Sequence, residues 1–574
     1  MRVNIHDGNI WEKFMGSLHR RLKLAVLSTC MAALLAGCGG GSDSGGGNAA
    51  ANAAVDQPYT DPVAYSVNPK DSLPSASENA AVAHHTLALA GSNIAYTTTT
   101  GHLTASDARG NPEASFFYVA YTADGQDPKT RPVTFFYNGG PGSPAIYLRL
   151  GSFAPTRVDT ADPLGTGYPN FSVVDNQESL IDTTDLVFID PPGTGYSEAI
   201  APNTNATFWG VDQDAGVMRD FIQRYITANQ RSASPIYLYG ESYGTPRTAV
   251  LSHLLESAGV HLSGIVLNSS ILDYNDMGRN GDQYASSLPT FGAVAAYYNK
   301  VAPAPASTPG YMATMRGVVL QQYASFTDDA NYTYGDPPSA SQAQSFATLA
   351  SLSGLGNEAL KLYFGTAVAT NSNSYGDQLK PGFLIGSYDG RVAAANGSAM
   401  AQGGDPSSSL VSSFFNIQSQ QVLPNYLKYS APNTSYSSGR PPGWTWDFSH
   451  GGKAYPDTIP DLAQEIALNP KIKIFSINGY HDFVTPFFAT EKDLGRLKTL
   501  PSLQQNPPNI QLTHYNGGHM TYLDNDSRPL IKADLASFYK GTPISGAMGF
   551  ADLPDPWPDN TTPAAASLKA ITLR

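Results

Sequence analysis

Gly240-Glu241-Ser242-Tyr243-Gly244 constrains the fold of this chain more than any other stretch. It has the spacing Gly-x-Ser-x-Gly and follows Pro235-Ile236-Tyr237-Leu238-Tyr239, a short apolar run that reads as a buried strand. Thr245 to Glu256 then has helical character, so the serine falls on a sharp turn between strand and helix. Flanking glycines let the backbone bend tightly and keep side chains clear of the hydroxyl. A turn of this kind presents a nucleophile.

Acyl transfer also needs donors aimed at the oxyanion that develops during attack. Pro132 to Tyr137 reads as a second strand and runs into Asn138-Gly139-Gly140-Pro141-Gly142. Backbone amides of such a glycine-rich turn supply one donor, and the amide after the nucleophile, that of Tyr243, supplies the other. A base must come from eleven histidines. His519 fits, because Ile510 to Tyr515 reads as a strand and Asn516-Gly517-Gly518 carries the chain into a loop beyond it. Lys471 to Ile477 is a further strand, and Asn478-Gly479-Tyr480-His481-Asp482 puts Asp482 just past its end. The chain order Ser242, Asp482, His519 is that of the α/β-hydrolase triad. His514, His481 and Asp190 read as structural. The chain has neither HExxH nor paired CxxC motifs, so neither a metal nor another cofactor is expected.

In these blocks the chain resembles the serine carboxypeptidase family, and its bacterial branch in particular. The matching stretches are Phe135 to Gly142, Asp185 to Ser197 (DLVFIDPPGTGYS), Gly240 to Gly244, Gly479 to Asp482, and Gly518-His519-Met520. The resemblance implies a triad of Ser242, Asp482 and His519, with the Gly140 and Tyr243 amides as oxyanion hole. It further implies that Asn138, the Gly139 amide and Glu241 grip the free C-terminal carboxylate of a peptide. The expected activity is release of C-terminal residues from peptides through an acyl-enzyme. An esterase or acyltransferase on the same scaffold and a non-catalytic surface-binding lipoprotein are the alternatives. Ser143 stands where the family usually carries cysteine. Ser152, in Leu150-Gly151-Ser152-Phe153-Ala154-Pro155, stands where many relatives place a second glutamate. The carboxylate site is therefore expected to rest on Glu241 and Asn138.

With 574 residues, 41% of them hydrophobic, the chain is long and apolar enough for a large core. A net charge of -13 argues against nucleic acid as a partner. The one basic cluster, Arg20-Arg21-Leu22-Lys23, precedes an apolar run from Leu24 to Ala36. That order is an export signal, and the run is too short to span a bilayer comfortably. It ends in Leu35-Ala36-Gly37-Cys38, which resembles the bacterial lipobox, so Cys38 is the expected lipidation site. The expected localisation is a bacterial lipoprotein of the cell envelope. Gly39 offers no acidic inner-membrane retention signal, which points to the outer membrane where the cell has one. Only Cys30 and Cys38 are present, so no internal disulfide is expected.

The expected organisation is an export signal over 1–38, with Met15 as candidate true start, and a Gly/Ser/Asn/Ala-rich tether over 39–58. An α/β-hydrolase core follows over 59–275, interrupted by a Ser-, Tyr-, Gly- and Pro-rich cap insertion over 276–450. The core resumes over 451–545, and 546–574 forms an irregular arm. Val211 to Ile226 and Ile459 to Ala467 carry amphipathic spacing that alternates with the strands, the pattern of an α/β sheet.

Overall fold

A computed structural model describes residues 55–160, 172–274, 281–327, 339–356, 376 and 379–555. Met15, Cys38, most of the tether and the arm beyond 555 lie outside the described residues.

One sheet of eleven strands organises the molecule. The strands are β1 (Ala80–Leu89), β2 (Ser92–Ser106), β3 (Pro112–Ala123), β4 (Val133–Tyr137), β5 (Asp185–Ile189), β6 (Glu198–Ala199), β7 (Ile236–Glu241), β8 (Leu262–Asn268), β9 (Lys473–Gly479), β10 (Asn509–Tyr515) and β11 (Met548–Gly549). Their order is β11-β10-β9-β8-β7-β4-β5-β3-β2-β1, with β6 beside β3. From β10 across to β5 all neighbours are parallel. The flanks, β1 to β3 and β11, are antiparallel.

A parallel centre must be covered on both faces, which is why β4 (VTFFY) and β5 (DLVFI) are apolar-rich runs buried at every position. Side chains alternate between faces along a strand. Phe135 and Tyr137 join one core with α2 (Val211–Ala228), α3 (Gly244–Ser257) and α8 (Ile459–Leu468), through Phe221, Leu251 and Leu462. Phe136 joins the opposite core with Phe538 of α10 (Ser527–Lys540). This is the α/β-hydrolase fold.

His84 and His85 lie on β1, one of the long antiparallel strands at one edge. Strand β2 is rich in Thr and half-exposed, so its apolar signal is weak. The cap interval also contains more regular structure than its composition suggests. It includes α4 (Gly281–Tyr297), α5 (Thr308–Thr327), α6 (Ala340–Ser353) and α7 (Pro406–Asn425). Helices α4 to α6 share a small core in which Phe291, Met315 and Leu349 pack against Tyr480, Phe487 and Phe488 of the main fold. A polar clamp adds to it: Arg316 of α5 forks onto fully buried Glu491 of α9 (Phe487–Gly495), which also pairs with His514 at 2.8 Å. Helix α7 instead packs over α1 (Ile146–Gly151), with Phe415 against Tyr147 and Ser419 accepting from buried Arg149.

Glu465 of α8 is fully buried, and neither carboxyl oxygen has a hydrogen-bond partner. Burial, then the neighbouring Glu256 charge, push its carboxyl up to about 8. The unfolded group titrates near about 4.3. Its folded pKa is raised, so stability is greatest at low pH and falls as pH rises towards about 8. Glu465→Gln should therefore raise the melting temperature, with a small gain near about pH 4.5 that grows towards about pH 8. Thermal melts of the two proteins across that range check it, and a gain independent of pH would contradict it.

Candidate active site

Ser242 sits between β7 and α3 with φ +59°, in the left-handed region that costs a non-glycine residue on the order of 1–3 kcal/mol. Hydrogen bonds hold it there. The Ser242 amide donates to Asn268 O at 3.0 Å, and Thr245 donates to Ser242 O through its amide at 2.8 Å and its hydroxyl at 2.7 Å. The flanking glycines serve close packing. A Cβ at Gly240 would stand 2.2 Å from Gly244 O, and one at Gly244 would stand 3.0 Å from Tyr137 O. Ser242 remains partly exposed between these buried neighbours.

Register brings the second motif to the same end of the parallel strands, since Gly240 pairs with Tyr137 and Glu241 with Asn268. Beyond Tyr137 the glycine-rich turn closes onto the serine turn: a Cβ at Gly139 would lie 2.4 Å from the Tyr243 amide nitrogen. Gly140 at φ +111° and Gly142 at φ +91° make this path open to glycine alone in practice. Among the described residues, neither the Gly140 nor the Tyr243 amide donates a hydrogen bond. Beneath the turn lies the buried ion pair Arg247–Asp214, whose side chains are 0% and 1% exposed. Arg247 also donates to Asn138 O at 2.7 Å, which fixes the end of β4.

Asp482 and His519 meet, with His519 Nδ1 2.8 Å from Asp482 Oδ2 and both side chains buried. Asp482 accepts from the Val484 and Thr485 amides at 2.8 and 3.0 Å, and from the Thr485 hydroxyl at 2.6 Å. That hydroxyl also lies 3.1 Å from His519 Nδ1. The His519 backbone donates to Tyr388 O and accepts from Ser269 Oγ, each at 2.6 Å, and the Tyr388 ring meets the imidazole edge-on. Ser242 and His519 are thus tied to consecutive residues, Asn268 and Ser269, at the end of β8. No hydrogen bond joins Ser242 Oγ to His519 Nε2 in this structure; such bonds commonly tighten only around substrate.

Glu241 is buried beside the serine. Its oxygens accept from Asn138 Nδ2 at 2.8 Å and Asn268 Nδ2 at 3.1 Å, with the Tyr522 hydroxyl close by. Burial pushes its carboxyl up to about 7, against the opposing pull of His519 and these donors. For His519, burial disfavours the charged form, yet the Asp482 carboxylate and its hydrogen bond outweigh this and hold the imidazole above its usual range. Asn138 Oδ1 accepts from the Leu148 amide at 3.0 Å, so both ends of its side-chain amide are engaged. Ser152 does not reach this group; its hydroxyl donates to Leu148 O at 2.6 Å within α1.

The residues read as structural have structural partners. His481 Nδ1 lies 2.6 Å from Asn516 O, and Asp190 accepts from the Ala145 amide and the Tyr436 hydroxyl. Thr485, Asn268, Tyr388 and the Arg247–Asp214 pair complete the surroundings and were not legible in the sequence. Their roles depend on contacts across the fold, and no local spacing marks them. A pocket of about 110 Å³ adjoins the site between Ser143 and Tyr147 on one side and Tyr388, Gly518 and Met520 on the other. A larger cleft of about 630 Å³ reaches His481 and Asn516 but none of Ser242, Asp482 and His519. Among the described residues no group of three or more His, Cys, Asp or Glu side chains is placed to hold a metal ion.

Residues 90–288 match the model of the serine carboxypeptidase family. Serine carboxypeptidase-like 5 of Arabidopsis thaliana is 28% identical over 176 residues, covering 28% of this chain and 39% of that protein. Over this part of its length the chain is similar to serine carboxypeptidases. The pheromone-processing carboxypeptidase KEX1 of Cryptococcus gattii is 28% identical over 167 residues, 28% of this chain and 23% of that one. The chain thus matches well under half the length of these carboxypeptidase relatives. Among solved structures, a prohormone-processing carboxypeptidase from Saccharomyces cerevisiae aligns with a TM-score of 0.46 and 14% identity, over 78% of this chain and 91% of that one. The family match includes Asn138–Gly142 and Ser242 and ends before Asp482 and His519, so the meeting of those two in space is independent of it.

Because Asp482 is what lifts the imidazole against burial, Asp482→Asn should drop the His519 pKa below its ordinary value. An NMR titration of the histidine ring protons measures this. An unchanged or raised value would contradict the electrostatic assignment.

Proposed function

We propose that this chain is a serine-type carboxypeptidase that releases C-terminal residues from peptides through an acyl-enzyme. The observation that carries the reading is the convergence, at the C-terminal ends of the central parallel strands, of the left-handed Ser242 turn, two amides without partners and the hydrogen-bonded Asp482–His519 pair. Ser242 Oγ attacks the last peptide carbonyl while His519 Nε2 takes its proton. The Gly140 and Tyr243 amides receive the oxyanion. His519 returns the proton to the leaving amine, then activates water to hydrolyse the ester, and Asp482 stabilises the imidazolium at each stage. Ser242→Ala should lower turnover of a peptide with a free C-terminus by on the order of a millionfold without loss of fold. Retention of more than a small fraction of activity would refute the assignment.

In this reading Asn138, the Gly139 amide and Glu241 hold the substrate carboxylate. Below about pH 7 Glu241 is protonated and donates to that carboxylate; above it the two charges repel. For a peptide acid, kcat/KM should fall as pH rises through about 7, whereas the matching amide should not show this fall, and Glu241→Gln should flatten it. Coincident acid and amide profiles would favour the second reading, an esterase or acyltransferase. That reading draws support from Ser152, which stands where many relatives place a second glutamate and whose hydroxyl donates to Leu148 O of α1.

The anchor is part of the same proposal. Lipidation at Cys38, after an export signal, would tether the catalytic domain to the cell envelope through the segment from Gly39, with peptides rather than nucleic acid as partners. Cys38→Ser should abolish incorporation of a clickable fatty acid and membrane fractionation, and an unlabelled wild-type protein would overturn it.

A further inference from the structure

The two amides assigned to the oxyanion come from separate stretches of chain, and they are not held equally well. The Tyr243 amide is fixed by the serine turn before it and by α3 after it. The Gly140 amide lies in a turn whose glycines stand at φ +111° and +91°, a region in which the backbone of glycine has many neighbouring conformations. One further segment touches both stretches. It is residues 443–450 at the end of the cap interval, where Trp444, Trp446 and Phe448 are half-buried and Thr445, Asp447 and Ser449 between them are exposed. This is the alternation of an extended chain with one apolar face.

Contacts tie this segment to both donors. Trp446 meets the Tyr243 ring nearly edge-on, with centroids 5.2 Å apart, and Tyr243 is 1% exposed. Trp444 lies beside Trp446, with centroids 6.0 Å apart and ring planes 22° from parallel. It reaches the glycine-rich turn, where a Cβ at Gly142 would stand 3.0 Å from the Trp444 indole nitrogen. Arg440 closes the same contact, since its guanidinium lies 4.0 Å over the Trp444 ring while Nε donates to Pro141 O at 2.9 Å. The segment is itself anchored to the core. The Asp447 amide donates to Trp209 O at 2.9 Å, and Asp447 O accepts from the Val211 amide, at the start of α2, at 3.1 Å. Beneath the turn, Arg247 donates to Asn138 O and lies 5.2 Å from the Tyr243 ring centroid. The two donor stretches thus share two supports, a buried arginine and an aromatic pair.

We propose that Trp444 and Trp446 are positioning residues of the oxyanion hole, which hold the Gly140 and Tyr243 amides at one fixed separation. Neither ring is assigned a contact with the reacting atoms. They act through Gly142 and Tyr243, so this part of the cap interval stabilises the transition state rather than admitting substrate. Preorganised donors are effective because they need not reorganise as charge develops, and a displacement of about 1 Å costs on the order of a hundredfold in rate. The inference rests on the serine-hydrolase reading above and is independent of whether the substrate ends in a free carboxylate.

The test measures Trp444→Leu and Trp446→Leu against wild type on a peptide acid and a simple ester, with thermal melts as the folding control. In both variants kcat should fall at least about tenfold while KM stays within about twofold. Benzeneboronic acid supplies the readout that a merely structural role would not move. Its boron accepts Ser242 Oγ and turns tetrahedral, which puts an oxygen where the oxyanion would lie, so its Ki should rise by the same factor as kcat falls. Trp444→Phe and Trp446→Phe keep a ring and should recover part of both losses. If a leucine variant does not fold, the phenylalanine variant decides, and wild-type kcat and Ki in it would overturn the proposal. Unchanged kcat in folded leucine variants would overturn it too, as would a lower kcat with unchanged Ki. A raised KM with kcat retained would also contradict it and make the two rings a wall of the substrate site. A wild type that turns over neither substrate and does not bind the boronic acid would refute the hydrolase reading, whereas an active wild type with fully active variants would refute this inference alone.

Discussion

At Ser242 a residue with a side chain is held at φ +59°, and the strand ends around it are built to make that conformation the stable one. The strain of the turn, on the order of 1–3 kcal/mol, is offset by three hydrogen bonds and by backbone packing that tolerates no Cβ at Gly240 or Gly139. These constraints act together. Closing β4 onto the turn brings the Gly140 and Tyr243 amides to one place. Pairing Glu241 with Asn268 carries the serine to the strand end from which Asn268 and Ser269 hold Ser242 and His519.

Buried charge does the remaining positioning. Arg247–Asp214 under the glycine-rich turn and Arg316–Glu491–His514 between cap and core both sit in low-exposure surroundings. Such pairs add little net stability, yet removing one partner strands the other and costs about 3–5 kcal/mol. Their contribution is to make one arrangement much better than its neighbours. Asp482, with two backbone amides and the Thr485 hydroxyl around it, is the same device at smaller scale, and it orients the imidazole.

The parts of this arrangement that were legible in the sequence are those encoded locally. A strand, a glycine-bracketed serine and a helix follow in order, so the elbow could be read from Gly240 to Gly244. Asp482 and His519 could be placed because each lies just past an apolar strand. Thr485 lies only three residues after Asp482, but nothing in its spacing distinguishes it from other threonines. Arg247 looks like a surface arginine on α3 until Asp214 and Asn138 O are found beside it. The cap helices were missed because Gly, Ser and Thr interrupt their apolar stripes, as in Thr308–Thr327. Their stability comes from packing on Tyr480, Phe487 and Phe488, and that packing is tertiary.

The central claim is that Ser242 is activated by this surrounding and that no other serine is. Intact-mass measurement and peptide mapping after brief exposure to a fluorophosphonate test it most directly. The account predicts one adduct per chain, on the peptide containing Ser242, formed far more slowly in His519→Ala. Labelling at another serine, or no labelling of folded wild-type protein, would contradict it.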